Sequence, residues 1–267
     1  MNELTAETRF SGLAEGYDRH RPSYPDALWQ QVASSVGEAA PHVALDIGAG
    51  TGISTRQLAS ALSTDWQVIG IEPNADMRTQ AVTKESSSSR ISYIDRQAEA
   101  LGMKQASAGL VTVAQAIHWF DRPVFYAGIG TVLATGGVLA IVYNDRDVDG
   151  DGLLGQFENL MEREMPGYDR NYRRGRNVSG QDDELAALEW VDNVASHLMH
   201  REELLTPQTF AGLMLSRSKL KPFTDKHGDA EAERILIQQA ANHTNDAGMI
   251  SMGYTSRIHI ATRNGAT

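Results

Sequence analysis

The sequence predicts an α/β fold built on a mostly parallel sheet, and three observations carry that prediction. Short apolar runs alternate with helix-like stretches of about ten residues. The first of these runs stops at a cluster of glycines, Gly48, Gly50 and Gly52, and the second ends in an acid, Glu72. Strands separated by single helices form βαβ units, whose sheet is covered on both faces, so its strands read as nearly continuous apolar segments.

The elements follow in order. Asp26 to Val36 carries Leu28, Trp29, Val32 and Val36 at helical spacing, after the turn-forming Arg21-Pro22-Ser23-Tyr24-Pro25. Val43 to Ile47 is a buried strand and Ile53 to Leu62 the helix after it. Gln67 to Ile71 is a second strand and Ala75 to Thr83 a second helix. Ile91 to Asp95, Leu110 to Ala114 and Val138 to Tyr143 are further strands, the last two joined by a helix over Pro123 to Leu133.

Beyond Asn144 the texture changes. Leu153, Leu154, Phe157, Leu160 and Met161 form a helical stripe, while the polar stretch Pro166 to Gly180, rich in Arg and Gly, predicts a loop. Val194 to Met199 and Thr255 to Thr262 are strand candidates, separated by helices near Pro207 to Ser216 and Ala230 to Asn242. Residues 1–145 are thus expected to form an α/β core with a helical lead. Residues 146–267 are expected to complete the sheet around an inserted helical cap.

Composition narrows the chemistry. The 267 residues hold 24 Lys and Arg against 34 Asp and Glu, a net charge of −10. Affinity for nucleic acid comes from clustered cations, so this balance speaks against a broad polyanion-binding face. The chain contains no cysteine, which excludes disulfides, thiolate metal sites and Cys nucleophiles. Met1 to Phe10 lacks the apolar centre of a signal peptide, and Val138 to Tyr143 is far shorter than the roughly 18 residues that span a bilayer. A cytoplasmic protein without membrane partners is expected. His197 and His200 are three apart, but on a strand they point to opposite faces, and Asp145, Asp147, Asp149 and Asp151 lack the offsets of a calcium loop, so no metal is expected.

Leu45-Asp46-Ile47-Gly48-Ala49-Gly50-Thr51-Gly52 lies between a predicted strand and a helix. Glycine supplies the positive φ angles of a tight turn and lets a ligand touch the backbone, and the following helix offers free N–H groups. A Walker loop needs Lys after its last glycine, and this chain has Ile53-Ser54. A nicotinamide fingerprint needs Gly-x-Gly-x-x-Gly, and here the third glycine comes one place early. The spacing instead matches the Asp/Glu-x-Gly-x-Gly-x-Gly loop of S-adenosylmethionine binders, with Asp46 as its leading acid. Glu72 stands 24 residues after Gly48. An acid at about that distance accepts from the two ribose hydroxyls in such folds.

Five segments in order resemble the class I S-adenosylmethionine-dependent methyltransferases. They are Tyr17-Asp18-Arg19-His20-Arg21-Pro22-Ser23-Tyr24-Pro25, the glycine loop, Gly70-Ile71-Glu72-Pro73-Asn74, Gln97-Ala98-Glu99-Ala100-Leu101 and Ala114-Gln115-Ala116-Ile117-His118-Trp119-Phe120-Asp121. The Arg-Pro-x-Tyr-Pro lead and the His-Trp-Phe-Asp segment look most like the trans-aconitate-methyltransferase-like branch. The resemblance implies a Rossmann-like sheet of seven strands, mostly parallel with the last antiparallel, under a helical cap. It implies S-adenosylmethionine as cofactor, S-adenosylhomocysteine as product and a small-molecule acceptor methylated on oxygen. A cyclase or binding protein using the same cofactor is the alternative.

By the same resemblance, the backbone of Gly48, Ala49 and Gly50 lines the cofactor's amino-acid tail, and Glu72 takes the ribose. Pro73 and Met77 flank the adenine, Ala98 offers an N–H to a ring nitrogen, and Gln97 accepts from the 6-amino group where the family often has Asp. Tyr17 and Arg21 hold the tail carboxylate, or knit an N-terminal helix to the core. Gln115 and His118 sit at the carboxyl edge of the sheet, where ligands bind. His118 is the candidate general base or a ring packed beside Trp119, and Trp119 is acceptor wall or a cation–π partner. Arg173 and Arg174, in a locally basic run, would attract an anionic acceptor or serve as solvated surface.

Overall fold

The computed structural model describes residues 23–38, 40–85, 89–146, 152–170 and 180–265. Along the chain run α1 (Asp26–Ser34), β1 (Val43–Ile47), α2 (Ile53–Ala61), β2 (Gln67–Ile71), α3 (Ala75–Lys84), β3 (Ile91–Ile94), β4 (Ala108–Ala114), α4 (Arg122–Val132) and β5 (Leu133–Arg146). Then come α5 (Leu153–Glu164), α6 (Gln181–Ala186), β6 (Val191–Leu205), α7 (Pro207–Leu215), α8 (Lys221–His227), α9 (Asp229–Ala241) and β7 (Ile250–Arg263).

The strands form one seven-stranded sheet in the order β3-β2-β1-β4-β5-β7-β6. Neighbours from β3 to β5 pair in parallel, while β7 runs antiparallel to both β5 and β6, so six strands share one direction. The chain leaves β1 toward β2 on one side and returns as β4 on the other. That reversal opens a crevice above the carboxyl ends of β1 and β4, the place where open parallel sheets bind ligands.

Both faces of the sheet are covered. On one, Leu45, Ile47, Val111, Val113, Leu139 and Ile141 pack against Phe125, Tyr126 and Ile129 of α4. On the other, Ala44, Val68, Leu110, Val138 and Ile258 pack against Leu28, Trp29 and Val32 of α1 and Leu58 of α2. A separate apolar cluster joins α5, α7, α8 and α9 to Ile250, Met252 and Tyr254 at the start of β7. All five residues of the α5 stripe are buried in it.

Three features depart from the sequence reading, each for a local reason. β5 begins at Leu133 rather than Val138, because Ala108 pairs with Leu133 and Leu110 with Val138, leaving Ala134 to Gly137 as an irregular stretch with Gly136 at φ +73°. β6 and β7 are 15 and 14 residues long; their half-exposed, alternating outer stretches lack the continuous apolar run that marks a buried strand. The short helices α6 and α8, of 6 and 7 residues, carry too few turns for a periodic pattern. Among the described residues no helix is long and apolar enough to cross a membrane.

The helical cluster encloses a charged pair. Arg217 and Glu158 are 7% and 8% exposed, with Nη1 3.5 Å from Oε1. Tyr168 Oη donates to Glu158 Oε2 at 2.7 Å and accepts from Arg217 Nη2 at 3.2 Å. Removing one member of a buried pair strands the other charge. Arg217→Ala is therefore expected to cost about 3–5 kcal/mol in urea unfolding. The double change Glu158→Leu with Arg217→Met should restore most of that loss.

Candidate active site

The crevice is built from the turn after β1. Gly48, Gly50 and Gly52 adopt φ of +73°, +56° and +79°, and Gly52 is the residue before α2. Their needs differ. A Cβ on Gly48 would stand 2.5 Å from that of Ala116 and 3.4 Å from the Phe120 ring, and one on Gly52 would collide with Tyr93. A Cβ on Gly50 would meet nothing within 4 Å among the described residues. Gly48 and Gly52 are therefore packed from behind, whereas Gly50 combines a left-handed backbone with an open side on which a ligand can approach.

Glu72, just past β2, holds this turn in place. Its Oε2 accepts from the Gly50 N–H at 2.9 Å and its Oε1 from the Asn74 N–H at 2.8 Å. A carboxylate offers about four acceptor positions, so two bonds leave room for two more. Burial pushes the Glu72 carboxyl above its ordinary value of 4.5, against the opposing pull of the two backbone bonds and nearby Arg78. Asn74 caps α3 by accepting from the Met77 N–H at 2.9 Å. Arg78 donates to the carbonyls of Glu72 and Pro73 and to Asp95 Oδ2, bracing the same turn from α3.

Asp46 takes a different place from the other expected contacts. It is fully buried beneath the turn, with Oδ2 accepting from Ser54 Oγ at 2.7 Å and Thr55 Oγ1 at 2.6 Å, and Oδ1 from Thr112 Oγ1 at 2.9 Å. The sheet register sets Asp46 beside Thr112 of β4, so one carboxylate ties β1, β4 and the first turn of α2 together. Burial raises its carboxyl above the ordinary range despite the three hydroxyl donors. Between the glycines, Thr51 is 1% exposed and its Oγ1 has no hydrogen-bond partner among the described residues.

The other wall follows β4. Gln115 has φ +57°, a conformation uncommon for a residue with a side chain, and its Nε2 donates to the Asn144 carbonyl of β5 at 2.8 Å. His118 and Trp119 follow on a short 3-10 turn, half-buried, with ring centres 5.1 Å apart and planes tilted by 41°. Phe120 reaches back toward Gly48. Met77 and Ala98 are buried, Pro73 is half-buried and Gln97 is exposed.

The loop after β1, Glu72 after β2, Gln97 and Ala98 after β3, and Gln115 and His118 after β4 thus share one edge of the sheet. Tyr17, Arg21, Arg173 and Arg174 lie outside the described residues. Arg170, the first residue of the basic run, is paired with Glu162 of α5. His197 and His200 fall on opposite faces of β6, and His200 Nδ1 lies 3.0 Å from Thr255 Oγ1.

Sequence reasoning missed Asn74, Arg78, Ser54, Thr55 and Thr112. Asn74 was within reach, since Asn before a helix is a common N-cap. Thr112 was not, because its partner is 66 residues away in the chain.

A family model described as a methyltransferase domain matches residues 45–141. An uncharacterized methyltransferase of Mycobacterium bovis is 30% identical over 210 residues, 78% of this chain and 76% of the relative. A Dictyostelium discoideum protein described as a methyltransferase is 35% identical over 135 residues, and the match spans about half of that relative's length, 48%. Among solved structures, that of a protein from Anaeromyxobacter dehalogenans described as a type II methyltransferase superposes with a TM-score of 0.66 at 22% identity, covering 91% of this chain and 97% of the other. That likeness is one of fold.

The bracing assigned to Asp46 has a direct check in thermal and urea unfolding. Asp46→Ala removes the acceptor of three buried hydroxyls and is expected to cost about 3 kcal/mol. Asp46→Asn keeps one acceptor oxygen and should lose less than half as much.

Proposed function

The chain belongs to the S-adenosylmethionine-dependent methyltransferases, and we propose that it moves the methyl group to an oxygen of a small-molecule acceptor and releases S-adenosylhomocysteine. The observation that carries the placement of the cofactor is Glu72, a carboxylate fixed by two backbone N–H groups with acceptor capacity left over, beside a glycine whose open side has no neighbour within 4 Å among the described residues. Those features fit an adenosyl group with a ribose diol and a tail that approaches the backbone.

In this reading the ribose hydroxyls donate to Glu72, and the backbone at Gly48, Ala49 and Gly50 lines the amino-acid tail. Pro73 and Met77 flank the adenine, with Ala98 and Gln97 at its polar edge. Tyr17 and Arg21 take the tail carboxylate through charge-assisted bonds. Gln115 closes the cofactor side of the crevice, held there by its bond to β5. Asp46 acts from beneath, by bracing the turn.

The cofactor supplies an already activated methyl group on a sulfonium, so this chain's own task is alignment. Its residues must hold an acceptor oxygen about 3–3.5 Å from the methyl carbon and exclude water. His118 and Trp119, projecting after β4, form the acceptor side. Residues 146–267 contribute the cap, and Arg173 and Arg174 give it an affinity for anionic acceptors, in keeping with the trans-aconitate-like branch. His118 takes the proton where the acceptor is a hydroxyl; a carboxylate needs none removed.

Two measurements test this reading. Labelled S-adenosylmethionine incubated with a panel of small carboxylic acids and phenols should give labelled product, base-labile for an ester, with one S-adenosylhomocysteine per methyl transferred. Tight cofactor binding and product formation without release of S-adenosylhomocysteine would favour the cyclase alternative. With a hydroxyl acceptor, His118→Ala should lower kcat about 10²–10⁴-fold, whereas with a carboxylate the change should stay under about tenfold.

Glu72 also sets a pH dependence. The ribose diol binds the ionised carboxylate, and the free protein's Glu72 titrates above 4.5. Cofactor affinity should therefore be full only above that raised value. It should fall by up to about tenfold per unit once the pH drops below the raised value. Glu72→Gln presents an amide donor to one backbone N–H, so affinity should drop at least tenfold at pH 7 and lose that slope, read by calorimetry from pH 5 to 8.

A further inference from the structure

β6 is the last strand of the sheet, paired with β7 on one side and with no strand of the described residues on the other. At 15 residues it is a long edge, and edges are ordinarily protected by shortness, charged side chains (lysine above all), proline, a bulge or a covering helix or loop. Val191–Leu205 contains neither Lys nor Pro, and its charges, Asp192, Arg201, Glu202 and Glu203, and its register shift at Val191–Asn193 lie away from its middle. Its pairing with β7 is continuous from Asn193 to Leu205, so the outer edge presents an extended row of N–H and C=O groups.

The same strand carries exposed apolar side chains. Among the described residues the large exposed hydrophobics are Val82, Val124, Leu198 and Leu204, so two of the four lie on β6. Leu198 and Leu204 are each 57% exposed and six residues apart, hence on one face. Leu198 is also the midpoint of the strand, with seven residues on either side.

We propose that two copies of this chain associate edge to edge through β6, antiparallel about a two-fold axis at Leu198, joining two seven-stranded sheets into one. The sequence of the strand is self-complementary in that register. Leu198 meets its own copy, Ser196 meets His200, Val194 meets Glu202, Asn193 meets Glu203 and Asp192 meets Leu204, so no like charges stand opposite one another. Glu202 and Glu203 end up at opposite ends of the shared ladder, whereas a parallel pairing would stack each on its copy. Centring on His200 or Ser196 instead would cut the overlap from fifteen residues to eleven. Main-chain hydrogen bonds, the Leu198 pair and a Val191–Leu205 pair at each end carry the association, so it is concentration-dependent.

Because the chain has no cysteine, Leu198→Cys carries a single thiol. In this register two such thiols face each other with Cα atoms about 4.5–5.5 Å apart, inside the range a disulfide bridges. Mild oxidation of Leu198→Cys should cross-link most of the protein into dimers. Leu204→Cys, whose copy would lie about 40 Å away, should cross-link at least tenfold more slowly, and Asp192→Cys with Leu204→Cys should cross-link well. Sedimentation velocity should show the unmodified chain shifting from monomer near 1 µM toward dimer near 100 µM, and Leu198→Asp should weaken that dimer at least tenfold with unchanged Tm. A monomer throughout, or equal cross-linking at positions 198 and 204, would overturn the proposal.

Discussion

Two backbone N–H groups from different segments, those of Gly50 and Asn74, converge on the single carboxylate of Glu72, and the shape of the crevice depends on that convergence. One group belongs to the turn after β1 and the other to Asn74, the N-cap of α3, so the acid fixes two connections relative to each other. A neutral amide could not do the same, since one of its two ends is a donor. Burial raises the carboxyl's affinity for a proton, and the two backbone donors oppose that rise. A ligand that brings two further hydroxyl donors completes the carboxylate's set and favours its charge.

Asp46 is the counterpart below the turn. Its three hydroxyl partners come from the start of α2 and from β4, so the turn is anchored from underneath while Glu72 anchors it from above. With Gly48 pressed against Ala116 and Gly52 against Tyr93, the loop has little freedom except at Gly50. Among the described residues the turn is thus packed at Gly48 and Gly52 and open at Gly50. The helical cluster over the end of β6 and the start of β7 has its own core and its own buried charge pair.

How much of this could be read from the residues follows from the range of the forces involved. β1, β2 and the turn between β1 and α2 announce themselves locally, as apolar runs and glycines, and the structure has both strands at the expected bounds. The loop's acid was legible as well, because Glu72 sits at a fixed distance from the glycines along one βαβ unit. The division of labour between Asp46 and Glu72 was not. Both are acids next to strands, and only the register that sets Asp46 beside Thr112 buries it among hydroxyls. β6 and β7 were underestimated because their outer halves alternate in burial. The acceptor side was least legible, and Arg173 and Arg174 lie outside the described residues.

The account stands on the crevice above β1 and β4 holding an adenosyl group through Glu72, at the end of β2. The most direct measurement is calorimetric titration of the unmodified chain with S-adenosylhomocysteine at pH 7.5, followed by a structure of the complex. The account predicts one saturable site per chain and both ribose hydroxyls within hydrogen-bond distance of the Glu72 carboxylate. No heat on titration, or a nucleoside bound with its ribose away from Glu72, would contradict it.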